Sequence, residues 1–185
     1  MTLGWLGIVR LGLVQTALGA IVVLTTSTIN RVMIVELSFL AMIPGVLVAW
    51  HYALQVLRPR WGHGADIGGK RTPWILGGII TLAAGGTAAA AATALMQSSF
   101  TVGLIAAFVA FFVIGVGVGA SGTNLRALLA PKVPPSRKAA AAAIVWIMMI
   151  FGFVITSLVA GALLDPFSMQ RLVIVSAGVG AVAIL

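Results

Sequence analysis

The sequence predicts an all-α integral membrane protein, a bundle of six spanning helices of which the sixth is incomplete. Hydrophobic residues make up 61% of the 185 and charged residues only 8%, where a soluble domain is about one-quarter charged. Mean hydropathy is correspondingly high, at +1.18. The apolar residues fall into runs near 8–29, 36–57, 74–96, 100–123, 139–164 and 171–185, most of them matching the ~20 residues a helix needs to cross a bilayer. The basic residues fall mainly in alternate connections between these runs, as the positive-inside rule requires of a multi-pass chain.

Charge supplies topology rather than a polymer partner. A formal net charge of +8 would suggest nucleic acid in a soluble protein. Here Arg58, Arg60, Lys70 and Arg71 lie between runs two and three, and Arg126, Lys132, Arg137 and Lys138 surround the connection from four to five. The remaining connections hold Arg31, no basic residue and Arg171. The rich connections are therefore expected in the cytoplasm, together with the N-terminus and its nearby Arg10. The expected partner of the apolar surface is the lipid bilayer, and no nucleic acid is expected. The absence of cysteine excludes disulfides, thiolate catalysis and Cys-ligated metal.

Taken in order, the first run is too long for a cleavable signal and has no small-residue cleavage site after it, so it is expected to remain as a span. Pro44 and Gly45 predict a kink in the second, near mid-membrane, because proline lacks an N–H and clashes with the preceding turn. The third run, WILGGIITLAAGGTAAAAATALM, is rich in Ala and Gly and is expected inside the bundle, where small residues let backbones approach. In the fourth, Gly115, Gly117, Gly119 and Gly122 include a Gly-x-x-x-Gly pair; close helix packing and a smooth wall for a large flat ligand are both open readings. The sixth run holds 15 residues, about 22 Å of helix against a hydrocarbon core of about 30 Å. A chain end inside the membrane is costly, so Leu185 is not expected to be the natural end of the functional protein.

Few residues carry chemistry. Arg31 and Glu36 flank one short connection and are expected to form an ion pair at its periplasmic end, with Asn30 capping a helix end. Proton-coupled transport of a polar solute needs ionisable groups within the bundle, and the runs offer almost none. No nucleophile with a nearby base, no metal-ligand cluster and no phosphate-cradling loop stands out, so no enzyme is expected.

The polar run RPRWGHGADIGGKRTPW, residues 58–74, places Gly62, Ala65, Asp66, Gly69, Lys70 and Arg71 in a spacing that resembles the signature of the major facilitator superfamily, Gly-x-x-x-Asp-Arg-x-Gly-Arg-Arg/Lys. It lies where that family carries it, between the second and third helices. The resemblance implies the N-terminal six-helix half of a facilitator bundle, and a loop that latches two halves during alternating access, with Asp66 and Arg71 in that role. Glycines would permit the tight backbone, and Asp66 could cap a helix start or pair with adjacent cations. Ile67 departs from the pattern, since a basic residue is usual there.

A narrower resemblance rests on TSTINRVMIVEL (26–37), HYALQVLRPRWGHGADIGGKRTPWI (51–75) and AAAAIVWIMMIFGFVITSLVAGALLDPFS (140–168). These stretches are similar to the PucC/LhaA family of phototrophic bacteria, associated with assembly of light-harvesting complexes. The resemblance implies a multi-pass protein of the photosynthetic inner membrane that escorts bacteriochlorophyll, antenna polypeptides or both, with those polypeptides and the reaction-centre complex as partners. Two other functions fit the class: a secondary transporter of a small solute, or a structural subunit bound to a pigment–protein complex. His51, near Trp50, Tyr52 and Gln55, is open to two readings, an axial ligand to bacteriochlorophyll magnesium or a hydrogen-bonded histidine in an interfacial aromatic belt. His63 lies in the glycine-rich stretch, where solvent and headgroups compete for it.

Overall fold

A computed structural model describes residues 3–185, and the described chain is helical almost throughout. Helix α1 (Trp5–Val23) passes through one π turn, Leu24–Thr28, directly into α2 (Ile29–Val35). The π turn has a local cause. Thr25 Oγ1 donates to the carbonyls of Ile21 and Val22, at 3.1 and 2.9 Å, and Thr26 Oγ1 donates to Val22 O at 2.8 Å, so side chains compete with the backbone ladder. Asn30 lies inside this continuous helix rather than capping an end, and its Oδ1 is buried without a hydrogen-bond partner.

The second run is corrected most. Residues 36–41 are not helical, Ser38 adopts a positive φ of 54°, and α3 spans only Met42–Ala53. A helix beginning at residue 36 would drive the Pro44 ring into the carbonyl four residues earlier; beginning at Met42, it holds Pro44 in the first turn, where no N–H is required. The expected mid-membrane kink is thereby replaced by a helix start. After α3 a 3-10 turn, Leu54–Leu57, leads into α4 (Arg58–Ile67). Most of the polar run is thus a helix rather than a loop. The turn that follows contains Gly69, whose φ of 64° is accessible to glycine at little cost.

Helices α5 (Thr72–Leu95), α6 (Phe100–Leu129), α7 (Lys138–Leu163) and α8 (Met169–Ile184) complete the chain. Four segments are long and apolar enough to cross a membrane: Trp5–Val35, Thr72–Leu95, Phe100–Lys132 and Pro135–Leu163. With this composition, the protein is a membrane protein.

Small residues set the packing. Helix α5 packs most extensively on α6, α1 on α7, and α8 on α5. A Cβ on Gly117 would meet Leu82 N at 2.6 Å, and one on Gly78 would meet Ser121 N at 2.5 Å, so α5 and α6 touch backbone to backbone. Gly19 faces Met149 O, and Gly152 faces Thr16 O, in the same way between α1 and α7. Such contacts replace the hydrophobic driving force that lipid removes. Of the most apolar stretch of α5, 56% is buried, against 17% for the corresponding stretch of Pro135–Leu163. The Ala/Gly-rich helix is therefore interior and α7 peripheral.

The basic connections gather at one end. Leu3 N–H donates to Lys132 O at 2.7 Å, and the Arg137 guanidinium lies 5.2 Å above the Trp5 ring, which joins the starts of α1 and α7 to the end of α6.

Candidate functional site

At this basic end α4 lies along the last turns of α6. Two residues one turn apart face inward: Trp61, whose ring covers Gly119, and Ala65, which is buried. Their i, i+4 spacing gives the otherwise polar α4 one packed edge. Gly62 faces Thr123 with room to spare, and Gly64 sits under the Trp74 ring. Asp66 and Arg71 form an ion pair across the turn that ends α4. Arg71 also donates from Nη1 to Asn124 Oδ1 at 3.2 Å. Asn124 is fully buried in α6, and its Nδ2 donates to Ala120 O at 2.9 Å and Trp61 O at 3.3 Å. The polar run is consequently braced to α6 through one amide. Lys70, Ile67 and His63 are exposed.

A second set of polar contacts lies one step toward the membrane. Gln55 Nε2 donates to His51 O and Gly115 O, both at 3.2 Å, while its Oε1 accepts from Arg58 Nε at 2.7 Å. A Cβ on Gly115 would meet Leu54 Cδ1 at 2.7 Å. Gly115 and Gly119 thus form the α6 face against which the path from α3 to α4 packs. A Cβ on Gly122 would meet nothing within 4 Å, so that residue takes no part in the close contact. Burial, followed by the positive charge of Arg126, holds the Arg58 guanidinium below its ordinary pKa, although it remains cationic.

His51 is 1% exposed. Its Nδ1 lies 3.2 Å from Val48 O, and the Tyr52 ring centroid is 4.2 Å away. This enclosure suits a hydrogen-bonded histidine. It does not fit an axial ligand to bacteriochlorophyll, because a macrocycle needs an open approach to a ring nitrogen. At the far end of the bundle Arg31 and Glu36 approach to 3.6 Å, with the arginine side chain largely exposed; such a pair is weak.

A family model described as "PUCC protein" matches residues 28–185. The chain belongs to the PucC family. It is 52% identical over 172 residues to a Rhodobacter capsulatus protein named "Bacteriochlorophyll synthase 44.5 kDa chain", covering 93% of this chain and 40% of that one. It is 33% identical over 184 residues to "Protein PucC" of the same organism, covering 92% of this chain and 40% of the relative. For "Protein PucC" of Cereibacter sphaeroides the identity is 30% over 184 residues, covering 93% and 40%. The chain therefore spans about 40% of the length of the curated relatives it matches. No solved structure matches it.

Within this PucC-family chain, the sequence singles out Asp66 and Arg71 and names Gln55 only as a neighbour of His51; it gives no role to Asn124 or Trp61. Gln55 and Trp61 lie within the stretch quoted for the family resemblance, but nothing in it marks their contacts to α6, and no motif marks Asn124. The available signal was cost: an amide in a spanning helix must find partners or forfeit its hydration.

Proposed function

We propose that this PucC-family chain is part of an assembly factor for bacterial light-harvesting complexes, handling bacteriochlorophyll, antenna polypeptides or both within the photosynthetic membrane. The observation that carries the reading is the family match over residues 28–185, joined to long apolar helices that expose large hydrophobic side chains. Bacteriochlorophyll is cargo in this account. It meets outward faces by lateral diffusion through lipid, and no enclosed histidine is needed to hold it.

The antenna-facing surface is assigned to α7. Ile147, Ile150, Phe151, Val154 and Leu158 repeat at three- and four-residue intervals and are each at least half exposed, forming an apolar stripe on the least buried of the four long segments. A single-span antenna helix could lie along it. The chemistry is non-enzymatic. The fold is the N-terminal half of a facilitator-type bundle, with the basic end in the cytoplasm and Asp66–Arg71 as part of a latch toward further chain. The shared end of the basic connections and the positive-inside rule support that orientation.

The test places a photo-crosslinking residue at Ile150 or Phe151 of the full-length protein in pigmented cells, and the purified product is examined by mass spectrometry and near-infrared absorption. An adduct with an antenna polypeptide, or bound bacteriochlorophyll, is expected. A protein with neither adduct nor pigment contradicts the proposal.

A further inference from the structure

Between the start of α4 and the last turns of α6 lies a groove of about 520 Å³, lined by Arg58, Pro59, Gly62, Thr123, Arg126 and Ala127. Two arginines share it. Arg58 spends only its Nε–H, on Gln55, and among the described residues neither of its Nη groups forms a hydrogen bond or ion pair. Arg126 makes no hydrogen bond or ion pair there either, and the Thr123 hydroxyl is without a partner. Burial, and after it the positive charge of Arg126, lowers the Arg58 pKa, and both guanidinium groups remain cationic.

The chain has three acidic residues, and none faces this pair. Glu36 is beside Arg31, Asp66 is paired with Arg71, and Asp165 follows α7 at the opposite end. Two like charges in a half-buried groove repel one another, and an anion between them turns that repulsion into attraction. Guanidinium forks match the oxygens of a phosphate in particular.

We propose that this groove binds a phosphate group, that of an anionic phospholipid headgroup at the membrane surface. The surroundings favour a lipid over a free anion. Along the helical path leading into Arg58, Tyr52 and Val56 are 57% and 80% exposed, one turn apart on the membrane side of the groove. Acyl chains can lie against that strip while the arginines hold the headgroup. The inference goes beyond the assembly role and needs only that this end of the bundle meet a bilayer.

Full-length protein, delipidated in non-ionic detergent, is titrated with phosphatidylglycerol or phosphatidylcholine and followed by native mass spectrometry. One phosphatidylglycerol should be retained in preference to phosphatidylcholine. R58Q/R126Q should weaken its retention by about tenfold or more, the scale of a lost charge-assisted contact. The charge-matched R60Q/K138Q, which alters exposed residues outside the groove, should bind as the wild type does. R126Q alone changes an exposed side chain without partners, so it keeps the fold and should still weaken retention several-fold. Equal losses in both double variants would show diffuse attraction and overturn the site. Indifference between the two lipids, with inorganic phosphate bound in an Arg126-dependent way, would overturn the headgroup assignment.

Discussion

Arg71 Nη1 donates to Asn124 Oδ1 at 3.2 Å, while the same amide donates to Trp61 O at 3.3 Å. One buried residue of α6 therefore holds both the middle of α4 and the turn that ends it. Replacing Asn124 by Ala removes the additional contact to the Trp61 carbonyl, which keeps its place in the α4 ladder, and leaves one arm of Arg71 without a protein partner. A loss of about 1–3 kcal/mol is expected, read as a lowered unfolding midpoint of the full-length protein in detergent. Because Asp66 and Asn124 act through the same guanidinium, Asp66→Asn should cost less in the Asn124→Ala background than alone. Strict additivity would mean that the brace is not one unit.

Glycines of α5 and α6 should differ sharply among themselves. Gly117→Ala sets a methyl against the backbone of Leu82, and Gly78→Ala sets one against Ser121 N, where no side chain can move aside. Each should destabilise the protein by about 1–3 kcal/mol. Gly122→Ala meets nothing within 4 Å and should be neutral or mildly stabilising, since alanine favours a helix over glycine by up to about 1 kcal/mol. Thermal unfolding of the three variants checks the order. Equal effects would contradict the backbone contact between α5 and α6.

His51→Leu should leave any bacteriochlorophyll bound to the purified protein unchanged in amount and in near-infrared band position. The imidazole is enclosed and faces Val48 O, so its loss disturbs packing and one hydrogen bond rather than a ligand. A blue-shifted or missing band in a variant of wild-type stability would return His51 to the role of axial ligand.

The residues differ in what they made legible. The interior position of α5 could be read from its Ala and Gly content, because in lipid small residues are themselves the packing signal. The extent of α3 could not, because hydropathy reports partitioning and counted Leu37–Ala41 as span, while the Pro44 ring decides where the helix can begin. The sequence places the polar run between two helices as a loop, and the structure makes most of it the helix α4. Its helical period is carried by only Trp61 and Ala65, and their partners on α6 lie more than fifty residues away. Asn124 was invisible for the same reason: its function is to satisfy groups that sequence does not show to be near it.

The assembly role makes its sharpest claim about pigment supply. Deleting the gene in a phototrophic host and measuring total extractable bacteriochlorophyll alongside assembled antenna should show antenna strongly reduced while pigment synthesis continues. Disappearance of bacteriochlorophyll altogether, with its precursors accumulating, would contradict the account and point to an enzymatic role.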